Sequence, residues 1–514
     1  MSVTGLRVFA GAYRDSLLLL SASRSMQDGE GVEWATAAMA IPGNVDDLIA
    51  DGFSRSDLDD ADANDLVLAV RAADAETARA ALDRGRGVLF AEAGQAAGPA
   101  AARPARRTVA DAVAQLAGAN VAVVSVPGHY AGLAAHQALT SGLHVLLFSD
   151  NVPVEEEVAL KERAAALGLL LMGPGAGTAV LGGVGLGFAN AVGRGRVGVV
   201  AAAGTGAQEV MALLDRWGIG VSHVVGVGGR DLSAAVGGRM AAQAVRALDA
   251  DPGTDAILLV SKPPDPRVAA EVVAQAERTP LVAACLGMTA PGGRLAGAAA
   301  ARTLEEGAMR VAGRLGGPAP DVARGLRQAA GEAISGLDDT RTAVRGFFTG
   351  GTLCYEAQVV LSGALGPVYS NIPLRPDLGL PAPPGAHVCL DLGEEEYTRG
   401  RPHPMIDPSA RREIIREQAG GGDVAVVLLD VVLGYGSHPD PAGEIADTCA
   451  ELVAGGAAVV AYVLGTPGDP QDFGAQRRTL REAGAIVTET SAQAARVAAA
   501  IAARRPDPAA ASPG

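Results

Sequence analysis

Apolar and polar positions along this chain repeat one order: a short apolar run, a glycine turn, then a stretch with helical spacing. The apolar run at 197–200 leads into A-G-T-G-A-Q-E-V at 203–210, and the run at 346–348 leads into G-G-T-L-C-Y-E-A at 350–357. Each reads as strand, turn and helix, a geometry that points backbone N–H groups at an anion. The order continues on both sides. An apolar strand at 255–260 enters the proline-rich turn 261–266, and a second at 423–430 enters 431–441; strands at 281–286 and 457–464 then lead into G-M-T-A-P-G-G and G-T-P-G-D-P. This pattern predicts an internal duplication of one α/β unit.

Upstream, the spacing predicts strands at 6–12, 33–41 and 65–72 with helices at 15–26 and 75–84, a small ferredoxin-like unit. Residues 93–107, rich in Gly, Ala, Pro and Arg, read as a linker, so the N-terminal domain with its linker is placed at 1–115. The β-branched run at 120–127, a helix at 130–140 and a strand at 143–148 predict βαβ organisation within 116–192. The duplicated units are placed at 193–320 and 342–503, and 504–514, with little to bury, is expected to be disordered.

Composition narrows this picture. Of 514 residues 49% are hydrophobic but only 3% aromatic, so the core is built from Ala, Val, Leu and Ile, as α/β layers allow. The net charge of −15, with Lys161 and Lys262 as the only lysines, disfavours nucleic-acid binding. Cys285, Cys354, Cys389 and Cys449 are widely spaced, without the spacing of a metal site, and a reduced, cytoplasmic protein with no membrane span is expected.

The residues also carry a resemblance. From about 118 to 312, the runs V-A-V-V-S-V-P-G at 121–128, V-L-L-F-S-D at 145–150, M-G-P-G at 172–175, V-G-V-V-A-A-A-G-T-G at 197–206 and G-V-G-G at 226–229 are similar to the α-subunit of succinyl-CoA synthetase. Nearly the whole chain resembles the FdrA family of acyl-CoA synthetase-like proteins, through F-S-D-N-V at 148–152, G-G-R-D-L-S at 228–233, S-K-P-P at 261–264, G-G-T-L-C at 350–354, P-H-P-M-I-D-P at 402–408 and V-L-G-Y-G-S-H at 432–438. The resemblance implies a CoA-binding-like Rossmann domain followed by two flavodoxin-like domains. It places CoA contacts at Pro127, Gly128, Phe148, Ser149 and Asp150. It also implies partner subunits, and for one branch of the family the conversion of oxalurate and phosphate to oxamate and carbamoyl phosphate, so phosphate or carbamoyl phosphate is an expected substrate.

Departures from the resemblance change the expected chemistry. Succinyl-CoA synthetase phosphorylates a histidine in a Gly-His-Ala-Gly-Ala context, whereas the corresponding run here, P-G-G-R-L-A-G-A-A-A at 291–300, holds none. The first strand is not followed by a G-x-x-G-x-x-G turn, and no lysine-rich nucleotide-grasping region is present. The glycine turns remain. Gly204, Thr205 and Gly206, with Gly350, Gly351 and Thr352, form an anion-binding pair, the plain alternative being close helix–strand packing. His403 and Asp407 in a polar loop and His438 after a buried strand are candidate catalytic groups. Arg230 and Lys262 are candidate phosphate or substrate contacts, and the acidic run 391–396 is expected to be a solvated face. A carbamoyl-transferring subunit, an acyl-CoA synthetase subunit and a non-catalytic scaffold are the three readings left open.

Overall fold

The computed structural model describes residues 2–508, apart from 13, 15, 59–60, 91–107, 117, 289–290, 319 and 399–401. The chain divides into two compact units, with residues 1–105 forming the first and nearly all of 106–514 the second. In the first unit, the antiparallel strands Val3–Phe9 and Val32–Met39 flank Leu66–Ala72. That central strand is an almost unbroken apolar run because it is covered twice. The helices Ser16–Gln27 and Ala75–Phe90 bury one face through Met26 and Leu82, while Leu48 of Pro42–Ala50 and Phe53 bury the other. The ferredoxin-like expectation needs a fourth strand, which is not among the described residues. The linker expected at 93–107 lies outside the described residues, and the helix Val109–Gln115 begins just after it.

The second unit opens with a parallel sheet of Val121–Val124, His144–Leu147 and Leu171–Met172, half of a Rossmann arrangement. Against the boundary expected at 192, the next sheet already begins before residue 180. Thr178–Leu181 and Val184–Gly187 form a hairpin that joins the next sheet, where Val180 pairs antiparallel with Val224.

That next sheet and the following one are the duplicated units. In the first, the central strand Arg194–Ala202 lies between Val221–Gly226 and Ala256–Ser261, with Leu281–Cys285 beyond. In the second, Ala343–Phe348 lies between His387–Asp391 and Val424–Val432, with Ala458–Leu464 beyond. All these pairings are parallel and the strands are covered on both faces, which explains a run such as Val424–Val432 with all nine positions buried. The fold is α/β with parallel sheets, as the apolar runs predict.

One core spans both duplicated units. Val199, Met211 and Leu258 from the first belong to the same buried cluster as Leu353, Leu361, Val426 and Ala498 from the second. The join is made by four helices, Gly204–Arg216, Leu304–Arg314, Gly351–Leu365 and Ser491–Ala502. Ser491–Ala502 reads SAQAARVAAAIA and is buried nearly all round, and its alanines let neighbouring helices approach closely. The chain beyond it is not all tail: Arg504 donates to the Leu337 carbonyl at 3.3 Å and Asp507 pairs with Arg327 at 2.6 Å, so 504–508 is docked, while 509–514 lies outside the described residues.

Candidate functional site

The two glycine turns meet. Ala203 precedes Gly204–Arg216 and Gly350 precedes Gly351–Leu365, both in extended conformation with no side chain capping the helix start. A Cβ on Gly350 would run into the Thr205 side chain, and a Cβ on Gly206 would lie 2.9 Å from Thr352 Cγ2. The contact is therefore reciprocal. Thr205 and Thr352 are both buried, and two helix starts with their free N–H groups converge on one place.

Charged groups from the second sheet stand around this junction. Asp391 closes the strand His387–Asp391 and its Oδ1 accepts from the Gly393 N–H at 2.9 Å. Its backbone is clamped by Asn371, which accepts from Asp391 N and donates to Asp391 O, both at 2.9 Å. The other carboxylate oxygen lies so close to the start of the turn helix that only glycine fits at 351. Burial pushes this carboxyl up to about 7, against the opposing pull of the Gly393 N–H and of the positive charge on Lys262. Lys262 follows directly from the end of Ala256–Ser261 in the first sheet, so the two sheets contribute opposite charges to one place.

Behind the turn, Asp430 accepts from the Thr349 N–H at 2.9 and 3.0 Å and from its hydroxyl at 3.1 Å. Arg411 balances it, donating to Asp430 at 3.0 Å and to the Phe347 carbonyl at 2.7 Å, with both side chains buried. The pair fixes the entry to the second turn rather than facing a ligand.

His403 stands beside Asp391. Its Nε2 is 2.6 Å from where a Cβ on Gly393 would be, so the absent side chain at 393 makes its space. Nδ1 accepts from the Met405 N–H at 3.2 Å, which leaves the proton on Nε2, and burial pushes the imidazole down to about 4. At neutral pH it is an uncharged hydrogen-bond donor.

Other predicted residues have different surroundings. Asp407 accepts from the Ser409 N–H at 3.0 Å and hydroxyl at 2.6 Å, just ahead of the helix Ser409–Ala419 that carries Arg411. His438 is buried, accepts from the Asp440 N–H at 3.1 Å through Nδ1, and its backbone N–H donates to the Met405 carbonyl at 2.7 Å, tying its loop to that of His403. Arg230 donates to Glu157 at 2.9 Å and to the Val152 carbonyl at 2.7 Å. Glu157 in turn holds the buried Lys161, which also reaches Asp231 at 2.8 Å, so Arg230 belongs to a charge cluster joining the Rossmann half to the first duplicated unit and not to the turns. The acidic run divides: Glu394–Glu396 is largely exposed as expected, and Asp391 is not.

The loops expected to hold CoA pack closely together. The carbonyls of Asp150 and Asn151 crowd Gly128, leaving no room for a Cβ, which accounts for a glycine after Pro127. Ser149 Oγ accepts from the Val126 N–H at 2.9 Å, and Asp150 accepts from the Asn151 N–H at 2.8 Å. Phe148 stacks at 5.7 Å on Phe188, and Phe188 faces His403 at 6.5 Å. A single aromatic ring thus joins the Rossmann loop to the His403 loop.

Sequence reasoning missed Asp391, Asp430, Arg411 and Phe188. A signal existed for the two acids, since each lies in an otherwise apolar strand, at or near its carboxyl end.

Deeper between the duplicated units, Glu209 and Glu356 occupy equivalent places one turn into the two turn helices, and each reaches across. Glu356 accepts from the Leu304 N–H at 2.6 Å, and Glu209 accepts from the Ser491 N–H at 3.3 Å. Each therefore caps the last helix of the opposite repeat at that helix's first residue. Burial pushes Glu209 up to about 7 and Glu356 up to about 8.

Comparison with known proteins follows the same division. A model described as CoA-ligase matches residues 347–501, and one described as AllF, heavy metal-associated domain, matches 1–105. The latter stretch contains neither Cys nor His, so the thiolate and imidazole donors of a heavy-metal site are missing and no metal chemistry is assigned to it. The Escherichia coli K12 protein YahF is 39% identical over 494 residues, 93% of this chain and 95% of that one. The ADP-forming sulfoacetate-CoA ligase subunit SauD of Bilophila wadsworthia is 30% identical over 193 residues, 36% of this chain and 64% of its own length. The ADP-forming succinate–CoA ligase subunit alpha 2 of Archaeoglobus fulgidus is 30% identical over 204 residues, 38% and 69% of the two chains. Among the described residues no helix is long and apolar enough to cross a membrane.

Proposed function

Because the chain belongs to the FdrA-like family of Escherichia coli YahF and carries a CoA-ligase domain, we propose that it is the acyl-transferring subunit of a CoA-ligase-type enzyme. The reacting phosphate or acyl phosphate sits at the paired glycine turns. The observation that carries this reading is the reciprocal contact of Thr205 with Gly350 and Thr352 with Gly206, which aims two helix starts at one place.

There the free N–H groups of the helix starts hold the phosphate oxygens, and Lys262 adds the positive charge that a dianion needs. His403 donates a hydrogen bond through Nε2 without carrying charge. When a nucleophile adds to the acyl carbon, negative charge builds on the carbonyl oxygen, and fixed N–H donors stabilise it better than mobile water does. The electron pair then returns to expel phosphate, whose charge the same donors receive. With CoA as nucleophile the product is a thioester, and the loops at Pro127, Gly128, Phe148, Ser149 and Asp150, linked to His403 through Phe188, are the place for CoA. Nucleotide chemistry would belong to a partner subunit in the same cytoplasmic complex.

A narrower reading is favoured by the run 291–300, which holds no histidine where the succinyl-CoA synthetase pattern has one. A chain without that phosphate carrier suits inorganic phosphate as the direct acceptor of an acyl group, with an acyl phosphate as the product, and carbamoyl phosphate is one. In this form the enzyme converts oxalurate and phosphate to oxamate and carbamoyl phosphate. The test is to assay the complex purified with its partners for thioester formation from CoA, nucleotide and small carboxylates, beside carbamoyl phosphate formation from oxalurate and phosphate. Thioester supports the ligase reading, carbamoyl phosphate without CoA supports the narrower one, and absence of both products with every partner present leaves a scaffold and sinks the proposal.

A further inference from the structure

Asp391 is out of place in a site built to hold an anion. Its carboxyl is buried at 4% exposure and lies against the first residue of the second turn helix, where bound phosphate would also lie. Its geometry allows no retreat. The backbone is held from both sides by Asn371, and Oδ1 is held by the Gly393 N–H. An ionised carboxylate here would repel the ligand, whereas a protonated one offers an O–H to it.

We propose that Asp391 is the proton-holding group of the paired-turn site, so that a tetrahedral oxyanion binds there together with a proton shared between its oxygen and the Asp391 carboxyl. This rests on the reading of the turns as an anion site and adds to it a condition on protonation. The equivalent place in the first duplicated unit supports the assignment. Ala201 pairs with Gly226 as Phe348 pairs with Asp391, so the first turn has no carboxyl at that place and the proton is needed on one side only.

The groups facing Asp391 set when the proton is held. Lys262, beyond the neighbouring sheet's strand end, favours ionisation; Glu394 after the strand and Asp430 in the second sheet oppose it, and Arg411 offsets Asp430. Cys354 on the turn helix is buried with its thiol held well above the usual range, and His403 stays neutral, so neither adds a charge near neutrality. Burial outweighs the rest and carries the carboxyl up to about 7. Below that value the site accepts an anion, and above it the anion must bring a proton or stay out.

The experiment is calorimetric titration of the full-length protein with sulfate from about pH 6 to about pH 8, because sulfate keeps the same charge throughout and any change belongs to the protein. The expected result is a dissociation constant that rises toward about tenfold per pH unit above neutrality. Asp391→Asn, which keeps an N–H donor in place of the O–H, is expected to bind sulfate with no such rise, and Asp391→Glu to restore it. Glu209 and Glu356 titrate in the same range, so a rise that persists in Asp391→Asn assigns the proton to them and overturns the proposal. Equal affinity across the range in the unaltered protein overturns it too. If the unaltered protein binds neither sulfate nor inorganic phosphate at any pH, the anion-site reading fails together with this inference; if it binds without pH dependence, only the inference fails.

Discussion

The two duplicated units share their strands, their turns and their buried glutamates, and differ at the ends of the strands flanking the centre. In the second unit Asp391 pairs with Phe348, and Asp430 follows Leu429, which pairs with Phe347. The corresponding positions in the first unit are Gly226 and Val260, both paired with Ala201. What was retained is what joins the halves: the glycine turns and the two glutamates that cap helices at the junction. What diverged is the local charge. The first unit has become an apolar platform with one lysine at its strand end, and the second carries the acids, Arg411 and His403.

The most severe way to break this difference is to remove one partner of the Asp430–Arg411 pair. Arg411→Ala leaves a buried carboxylate bonded to Thr349 with no cation, and a loss of about 3–5 kcal/mol is expected in urea unfolding. The matching place in the first unit, Val260, has no such pair to lose, so Val260→Ala is expected to cost less, about 1–3 kcal/mol for a trimmed core side chain.

A smaller effect sharpens the comparison of the turns. Gly350→Ala drives a methyl group into Thr205 and is expected to cost about 1–3 kcal/mol and to weaken sulfate binding.

The glutamates give a pH dependence. Glu356 holds its proton in the folded chain up to about 8, while in the unfolded chain it loses the proton in the ordinary carboxylate range. Stability is therefore fully present at low pH, falls as pH rises through that window and levels off above it, by at most about 1.4 kcal/mol per pH unit for one group. Urea midpoints between about pH 5 and pH 9 should show the fall, with Glu356→Gln flattening its upper part and Glu209→Gln, whose carboxyl titrates at about 7, flattening a lower part. Identical profiles for the two variants would mean that the junction treats its halves alike.

The smallest effect is expected at Gly204→Ala. Nothing lies within 4 Å of a Cβ there, so the change should stay within about 0.5 kcal/mol, against the larger cost at Gly350.

Part of the site is legible in the amino-acid order. The turns stand out because strand, glycine and helix signals are adjacent in sequence, and Lys262 and His403 stand out by being rare residue types in polar loops. Asp391 is hidden by its neighbours. In D-L-G-E-E-E the acids look alike, and only the strand end, the turn at Gly393 and the approach of Gly351 separate the buried acid from the exposed ones. Asp407 and Arg230 show the converse: loop residues with reactive side chains are engaged by neighbours that the sequence does not mark, one by Ser409 and the other by Glu157.

By itself the sequence determined the order of elements, the duplication and the α/β class, because apolar periodicity and glycine turns act between residues a few positions apart. Tertiary structure alone decided which polar groups meet. Thr205 touches Gly350, Glu209 reaches Ser491, and Lys262 acts on Asp391, contacts between residues more than a hundred positions apart that exist only because two similar units dock face to face around one core.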